Sequence, residues 1–177
     1  MNYHNIKHDD MNNGSGLRVT LFVSGCSHHC NKCHNPETWS VDSGIPFDDN
    51  AISEILSELS NDYISGLTIS GGDPLHYNNL DTILHLCQTV KLHYPNKSIW
   101  LYTGYKWEEI FPIIKTNELD LRRGFRQNII KLCDVVVDGR FENDKANVNY
   151  HWAGSTNQRV INVKKSLSSN EIIKYID

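Results

Sequence analysis

The sequence predicts an α/β fold, an open partial (β/α) barrel on a mostly parallel sheet. Three observations predict it. Short β-branched runs alternate with longer stretches of helical periodicity along the chain. Most of those runs end in polar or glycine-bearing turns. The units are too few in 177 residues to close an eight-fold barrel.

Residues 1–16 read as a polar N-terminal lead-in. Leu17 to Val23 alternates and is rich in β-branched residues, so it reads as a strand, and a cysteine-bearing loop follows at once. Asp48 or Asp49 then caps a helix with Ile52, Ile55, Leu56 and Leu59 at helical spacing. Gly66 to Ser70 is a second strand, stopped by Gly71-Gly72-Asp73-Pro74. Asn79 to His93 is a longer helix with Leu80, Ile83, Leu84, Cys87 and Val90 on one face. Ser98 to Tyr102 is a third strand, ended by Thr103-Gly104. Trp107 to Ile114 reads as helical, with Pro112 restricting where that helix runs. A further helix is expected over Leu119 to Leu132 and a fourth strand over Asp134 to Asp138, before Gly139. Gln158 to Val163 adds another strand, and Ser169 to Tyr175 a terminal helix within a C-terminal tail of residues 164–177. Neither a repeat nor a linker divides the chain, so residues 1–177 are expected to form one domain.

Composition narrows the function. A net charge of −4 argues against a nucleic-acid binder. The N-terminus lacks an apolar signal region, and no apolar run is long enough to span a bilayer. The five cysteines are an odd number, and three of them crowd into eight residues, Cys26 to Cys33. That pattern suits a metal site in a reducing compartment, the cytoplasm by default, rather than a disulfide scaffold.

Cys26, Cys30 and Cys33 supply three ligands, not four. A structural zinc ion would need a fourth, from His28, His29 or His34. A cubane iron–sulfur cluster held by three thiolates would keep one iron open to an outside ligand. The loop follows a core strand and lies beside a Gly-Gly turn, which favours a cofactor site. Ser24-Gly25 lets the backbone turn sharply and approach a bulky group. Gly71-Gly72-Asp73-Pro74 serves either as a tight turn or as a close approach to a ligand. A ligand amino group there would meet backbone carbonyls and the Asp73 carboxylate. Cys87 and Cys133 read as core residues. Arg122, Arg123 and Arg126 read as a solvated face first and a docking patch second. Most histidines are expected at the surface, His34 excepted because it adjoins Cys33. In α/β folds ligands sit at the carboxyl ends of the strands. The cysteine loop, the Gly-Gly-Asp turn, Tyr102-Thr103-Gly104 and Asp138-Gly139 should therefore share one rim.

On these residues the chain resembles the radical S-adenosylmethionine enzymes. Further motifs narrow the likeness: Asn13 to Arg18, Cys33-His34-Asn35 with Thr38-Trp39, Ser70 to Leu75, Trp100 to Tyr105, Val137 to Phe141 and Trp152 to Gln158. In that order they resemble the activating proteins of anaerobic (class III) ribonucleotide reductase, over about Asn2 to Arg159. The resemblance implies a [4Fe-4S] cluster on the catalytic cysteines Cys26, Cys30 and Cys33. It implies S-adenosylmethionine chelating the open iron, its amino group near Gly71, Gly72 and Asp73, its adenosyl part bordered by Lys32, Cys33 and His34. Reductive cleavage would give a 5′-deoxyadenosyl radical that takes hydrogen from a glycine of the reductase large subunit. A low-potential donor such as a flavodoxin would supply the electron. The open alternatives are an activase of the pyruvate formate-lyase type and a non-catalytic zinc-binding module. Two residues depart from the family pattern: Lys32 stands where an aromatic residue is common, and Ala153 where an arginine is usual. The stretch 117–128 reads as extra length, and the C-terminal helix lacks a counterpart.

Overall fold

The structure is a computed structural model and describes residues 1–112 and 121–176. Its strands are β1 (Asn2–Asp10), β2 (Leu17–Val23), β3 (Ile45–Pro46), β4 (Ile64–Gly71), β5 (Ser98–Tyr102), β6 (Val135–Asp138) and β7 (Arg159–Asn162). They form one sheet in the order β3-β1-β2-β4-β5-β6-β7. The centre, β2 to β6, is parallel. Antiparallel strands flank it on both sides. The helices are α1 (Asp49–Leu59), α2 (Leu80–His93), α3 (Trp107–Ile110), α4 (Leu121–Leu132) and α5 (Val163–Ser169).

The period of two along each strand gives the sheet two unlike faces. Val19, Leu21, Val23, Leu67, Ile69, Ile99 and Leu101 join the core with Ile55, Leu59, Ile83, Leu86, Val90, Ile129 and Ile130 of α1, α2 and α4. The intervening residues are Arg18, Thr20, Phe22, Thr68, Ser70, Trp100 and Tyr102. They give the opposite face its polar and aromatic character, and Phe22, Ser70 and Tyr102 line a cavity there.

Arg18 lies on that polar face and is fully buried. Its donors reach Thr68 Oγ1, Ser98 Oγ and the carbonyls of Ser15, Leu67 and Ser98, while its guanidinium lies 5.4 Å from the Trp100 ring centroid. Burial lowers its pKa to about 10, so it stays charged at neutral pH. These bonds offset the desolvation of the buried cation. They also tie the amino ends of β4 and β5 together, away from the cysteines.

Several boundaries differ from expectation. The lead-in contains β1, which pairs antiparallel with β2. Ile6 is its one core apolar residue, so no alternating pattern marks it. The two-residue edge strand β3 was not expected either, and its Pro46 suits an edge. Helix α3 stops at Ile110, two residues before Pro112, and residues 113 and 114 lie outside the described residues. Residues 119 and 120 of the next expected helix also lie outside them. The terminal helix falls earlier than expected, at Val163–Ser169. Asn162 caps its start through Lys165 N–H, and Asn170 ends it in a left-handed conformation. The chain then runs back beside β7, with Asn162 N–H on Ile173 O and Tyr175 N–H on Val160 O.

At the β6–β7 edge, Arg159 pairs with Asp138 and makes two bonds of 2.8 Å to Glu108 at the start of α3. The guanidinium lowers the Glu108 pKa from 4.5 to about 2. The pair therefore stabilises the fold fully above about pH 4.5 and loses this contribution as pH falls toward 2. Glu108 is half exposed, so solvent screens the effect. In urea titrations of the apoprotein, Glu108→Gln is expected to be less stable than wild type at pH 6. The gap should narrow steadily on acidification toward pH 2.

Candidate active site

The cysteine loop leaves the carboxyl end of β2. Gly25 N–H bonds to Thr38 O at 2.8 Å and Cys26 N–H to Trp39 O at 3.0 Å, so both legs of the loop are stitched together. The loop turns tightly through left-handed residues at His29 (φ 47°) and Lys32 (φ 54°), with Cys33 N–H on Cys30 O at 3.1 Å. Asn35 N–H reaches Cys33 Sγ at 3.4 Å. All three cysteines are half-buried free thiols, and all line one cavity of about 820 Å³. Burial pushes the Cys26 thiol up to about 11 and raises Cys30. The backbone N–H groups of His28 and His29 oppose the shift at Cys26. Metal uptake would release the thiol protons.

The Gly-Gly turn ends β4 on the same cavity. A Cβ on Gly72 would stand 2.7 Å from Gly25 O and 3.0 Å from Thr38 O. A Cβ on Gly71 would meet Val23 N at 2.6 Å, at a φ of 99°. The missing side chains thus make room for the backbone of β2 and the cysteine loop. Of the two expected roles of this turn, the tight packing of its backbone is the one these contacts account for. Gly72 N–H bonds to Val23 O and Asp73 N–H to Gly25 O, completing the junction.

Asp73 lines the cavity but spends its carboxylate inside the protein. Oδ1 accepts from Leu75 N–H at 2.8 Å and Thr103 Oγ1 at 2.9 Å. Oδ2 accepts from His28 Nε2 at 2.7 Å and Gly104 N–H at 3.0 Å. Four donors match the four lone-pair positions of a carboxylate. The group is 1 % exposed.

The far wall belongs to segments after β5 and β6. Thr103, Gly104, Gly139, Phe141 and residues 148–154 line it. Gln158 holds this wall in shape. Its Oε1 accepts from Gly154 and Ser155 N–H, and its Nε2 donates to Gly139 O. The His34 and Phe141 rings lie 4.8 Å apart, and a Cβ on Gly154 would press on both.

The structure thus brings Cys26, Cys30, Cys33, His34, Gly71, Gly72 and Asp73 to one cavity. Lys32 is exposed and does not line it. Cys87 and Cys133 are buried in the core. Arg126 departs from the solvated reading, because acceptors lie within its reach. It donates to Leu75 O and Tyr105 Oη and sits 4.2 Å from the Tyr105 ring centroid. His28 departs from the surface reading, its side chain only 6 % exposed. Its position inside the cysteine triplet was the available signal.

The donor set fits a cubane cluster. Among the described residues no three of His, Cys, Asp and Glu converge closely enough for a single metal ion. Three thiols on one cavity leave one iron of a cubane open to a ligand, whereas a structural tetrahedral zinc would need a fourth protein ligand.

Comparison with protein families matches residues 12–161 to a 4Fe-4S single cluster domain. The chain is 42% identical over 160 residues to the anaerobic ribonucleoside-triphosphate reductase-activating protein of Pasteurella multocida, covering 89% of this chain and 95% of that one. The corresponding protein of Enterobacteria phage T4 is 42% identical, with 90% and 93% covered. That of Escherichia coli K12 is 40% identical, with 90% and 97% covered. The chain belongs to the family of anaerobic ribonucleoside-triphosphate reductase-activating proteins. The cofactors of this family are a [4Fe-4S] cluster and S-adenosylmethionine.

Two expectations follow. Gly72→Val should lower the iron content of anaerobically reconstituted protein, because the new side chain displaces the entry to the cysteine loop. Full iron content in that variant would show that the junction tolerates the Cβ. Lys32→Gly should keep the cluster and raise stability by about 1 kcal/mol, since a left-handed residue other than glycine is strained. Thermal unfolding of both proteins measures this.

Proposed function

We propose that this chain activates an anaerobic ribonucleoside-triphosphate reductase, using a [4Fe-4S] cluster on Cys26, Cys30 and Cys33 with S-adenosylmethionine beside it. The single observation that carries the reading is the meeting of the thiol triplet and the Gly71-Gly72 turn on one open cavity. When bound, the two cofactors together supply a one-electron cleavage whose carbon radical takes hydrogen from a glycine of the reductase large subunit.

The chain's own residues hold, orient and shield. Cys26, Cys30 and Cys33 would hold the cluster through three of its four irons, and the fourth would be free for the ligand. With the Asp73 carboxylate saturated, the turn offers the ligand amino group its backbone. Cys33 and His34 border the adenosyl part, and Phe141 against His34 adds apolar surface there. That surface stands in for the aromatic residue replaced by Lys32. Phe22 and Tyr102 line the inner wall, which limits water around the reacting atoms. Exposed Met11 and Val148 line the cavity, and a segment of the protein substrate would enter beside them. A small flavodoxin-type carrier fits the need for a low-potential electron. Free thiols suit a reducing cytoplasm. Among the described residues no helix is long and apolar enough to cross a membrane.

The test is reconstitution. Activase, reductase large subunit, S-adenosylmethionine and a low-potential reductant together should give a glycyl doublet by EPR, with methionine and 5′-deoxyadenosine formed in step. Cys26→Ser, Cys30→Ser and Cys33→Ser should each abolish the doublet. Cleavage of S-adenosylmethionine without any reductase radical would remove the proposed protein substrate.

A further inference from the structure

Between Cys26 and Cys33 the loop has little backbone support. Among the described residues, residues 27–32 donate no hydrogen bond to another backbone carbonyl, and Cys33 N–H to Cys30 O is the one bond the stretch receives. The His28 side chain is held on three sides instead. Nε2 lies 2.7 Å from Asp73 Oδ2. Arg140 Nε donates to Nδ1 at 3.1 Å. The Tyr105 ring meets the imidazole edge-on at 4.7 Å between centroids. An arginine can only donate, so Nδ1 accepts and the ring proton sits on Nε2, facing the carboxylate. His28 is then a neutral link between the Asp73 anion and the Arg140 cation.

Gly104 supplies an independent observation. Its backbone does not need glycine, because its φ lies outside the left-handed range. A Cβ there would nonetheless collide with the His28 ring. Gly104 is required by the space that imidazole occupies.

We propose that His28 is a positioning residue that clamps the cysteine loop to the Gly-Gly-Asp turn and so sets where the cluster's open iron faces its ligand. The inference rests on the cofactor assignment above and deepens it. The backbone N–H groups of His28 and His29 also bond to the Cys26 sulfur. Hydrogen bonds to cluster sulfurs tune reduction potential, so loosening the loop should be visible in the potential as well.

The experiment is a double-mutant cycle on reconstituted protein with His28→Ala, Gly104→Ala and the pair together. Iron content, midpoint potential and the S-adenosylmethionine-induced change in the reduced cluster's EPR signal are read for each. His28→Ala should keep its iron yet shift the potential and bind S-adenosylmethionine about 10–100-fold more weakly, the usual effect of losing an outer support. Gly104→Ala alone should do the same by pushing the ring away. In the His28→Ala background the Gly104→Ala change should add nothing, because the atom it strikes is gone. His28→Gln, which keeps a donor for Asp73, should recover much of the wild-type response. A wild-type potential and EPR response in His28→Ala, or full additivity of the two changes, would overturn the clamp. Failure of wild type itself to respond to S-adenosylmethionine would instead overturn the cofactor assignment, and additivity in the potential would still decide the clamp.

Discussion

A single buried carboxylate holds the functional end of this molecule together. Asp73 accepts hydrogen bonds from its own turn, from the cysteine loop and from the end of β5. An anion so deeply buried is tolerable only because each acceptor position is filled. The filling is also what makes it useful. Three strand ends that share one anion cannot drift independently without leaving a charge unpaired, which costs several kcal/mol. The rim therefore behaves as one rigid piece, and a site that must aim a reactive intermediate needs that rigidity.

The rest of the fold supports this rim from beneath. The apolar face of the sheet packs on α1, α2 and α4, while the other face is free to be polar and aromatic. Arg18 fills the far end of that face with protein acceptors. Gly71 and Gly72 let β4 approach β2 without a Cβ between them. The cysteine loop and the Gly71-Gly72 turn are thereby neighbours by backbone packing as well as by the His28–Asp73 contact.

Much of this was legible in the chain. The four parallel strands carried β-branched runs long enough to read, α1 carried a clear cap, and α1 and α2 carried clear periodicity. The shared rim followed from topology alone, since strands of one direction end on one side. What stayed hidden has physical causes. β1 lies next to the edge of the sheet and carries one buried apolar residue, so it lacks a pattern. The C-terminal helix was displaced because the left-handed Asn170 stops it where periodicity alone suggested a start. The internal partners of Asp73 were not legible, because His28 and Thr103 come from distant loops. The demand for glycine at 104 was equally invisible, because the atom that imposes it is 76 positions away in the chain, at His28.

The central proposal is that strand-end packing and the Asp73 bonds together would set the open iron of a cluster on Cys26, Cys30 and Cys33 against the Gly71-Gly72 turn, with the ligand amino group between them. Pulsed ENDOR on the reduced protein with S-adenosylmethionine labelled with nitrogen-15 at the amino group tests it most directly. The account predicts a hyperfine coupling large enough to require direct bonding of that nitrogen to iron. A saturated, reduced sample showing only weak dipolar coupling would place the amino group away from the iron and contradict it.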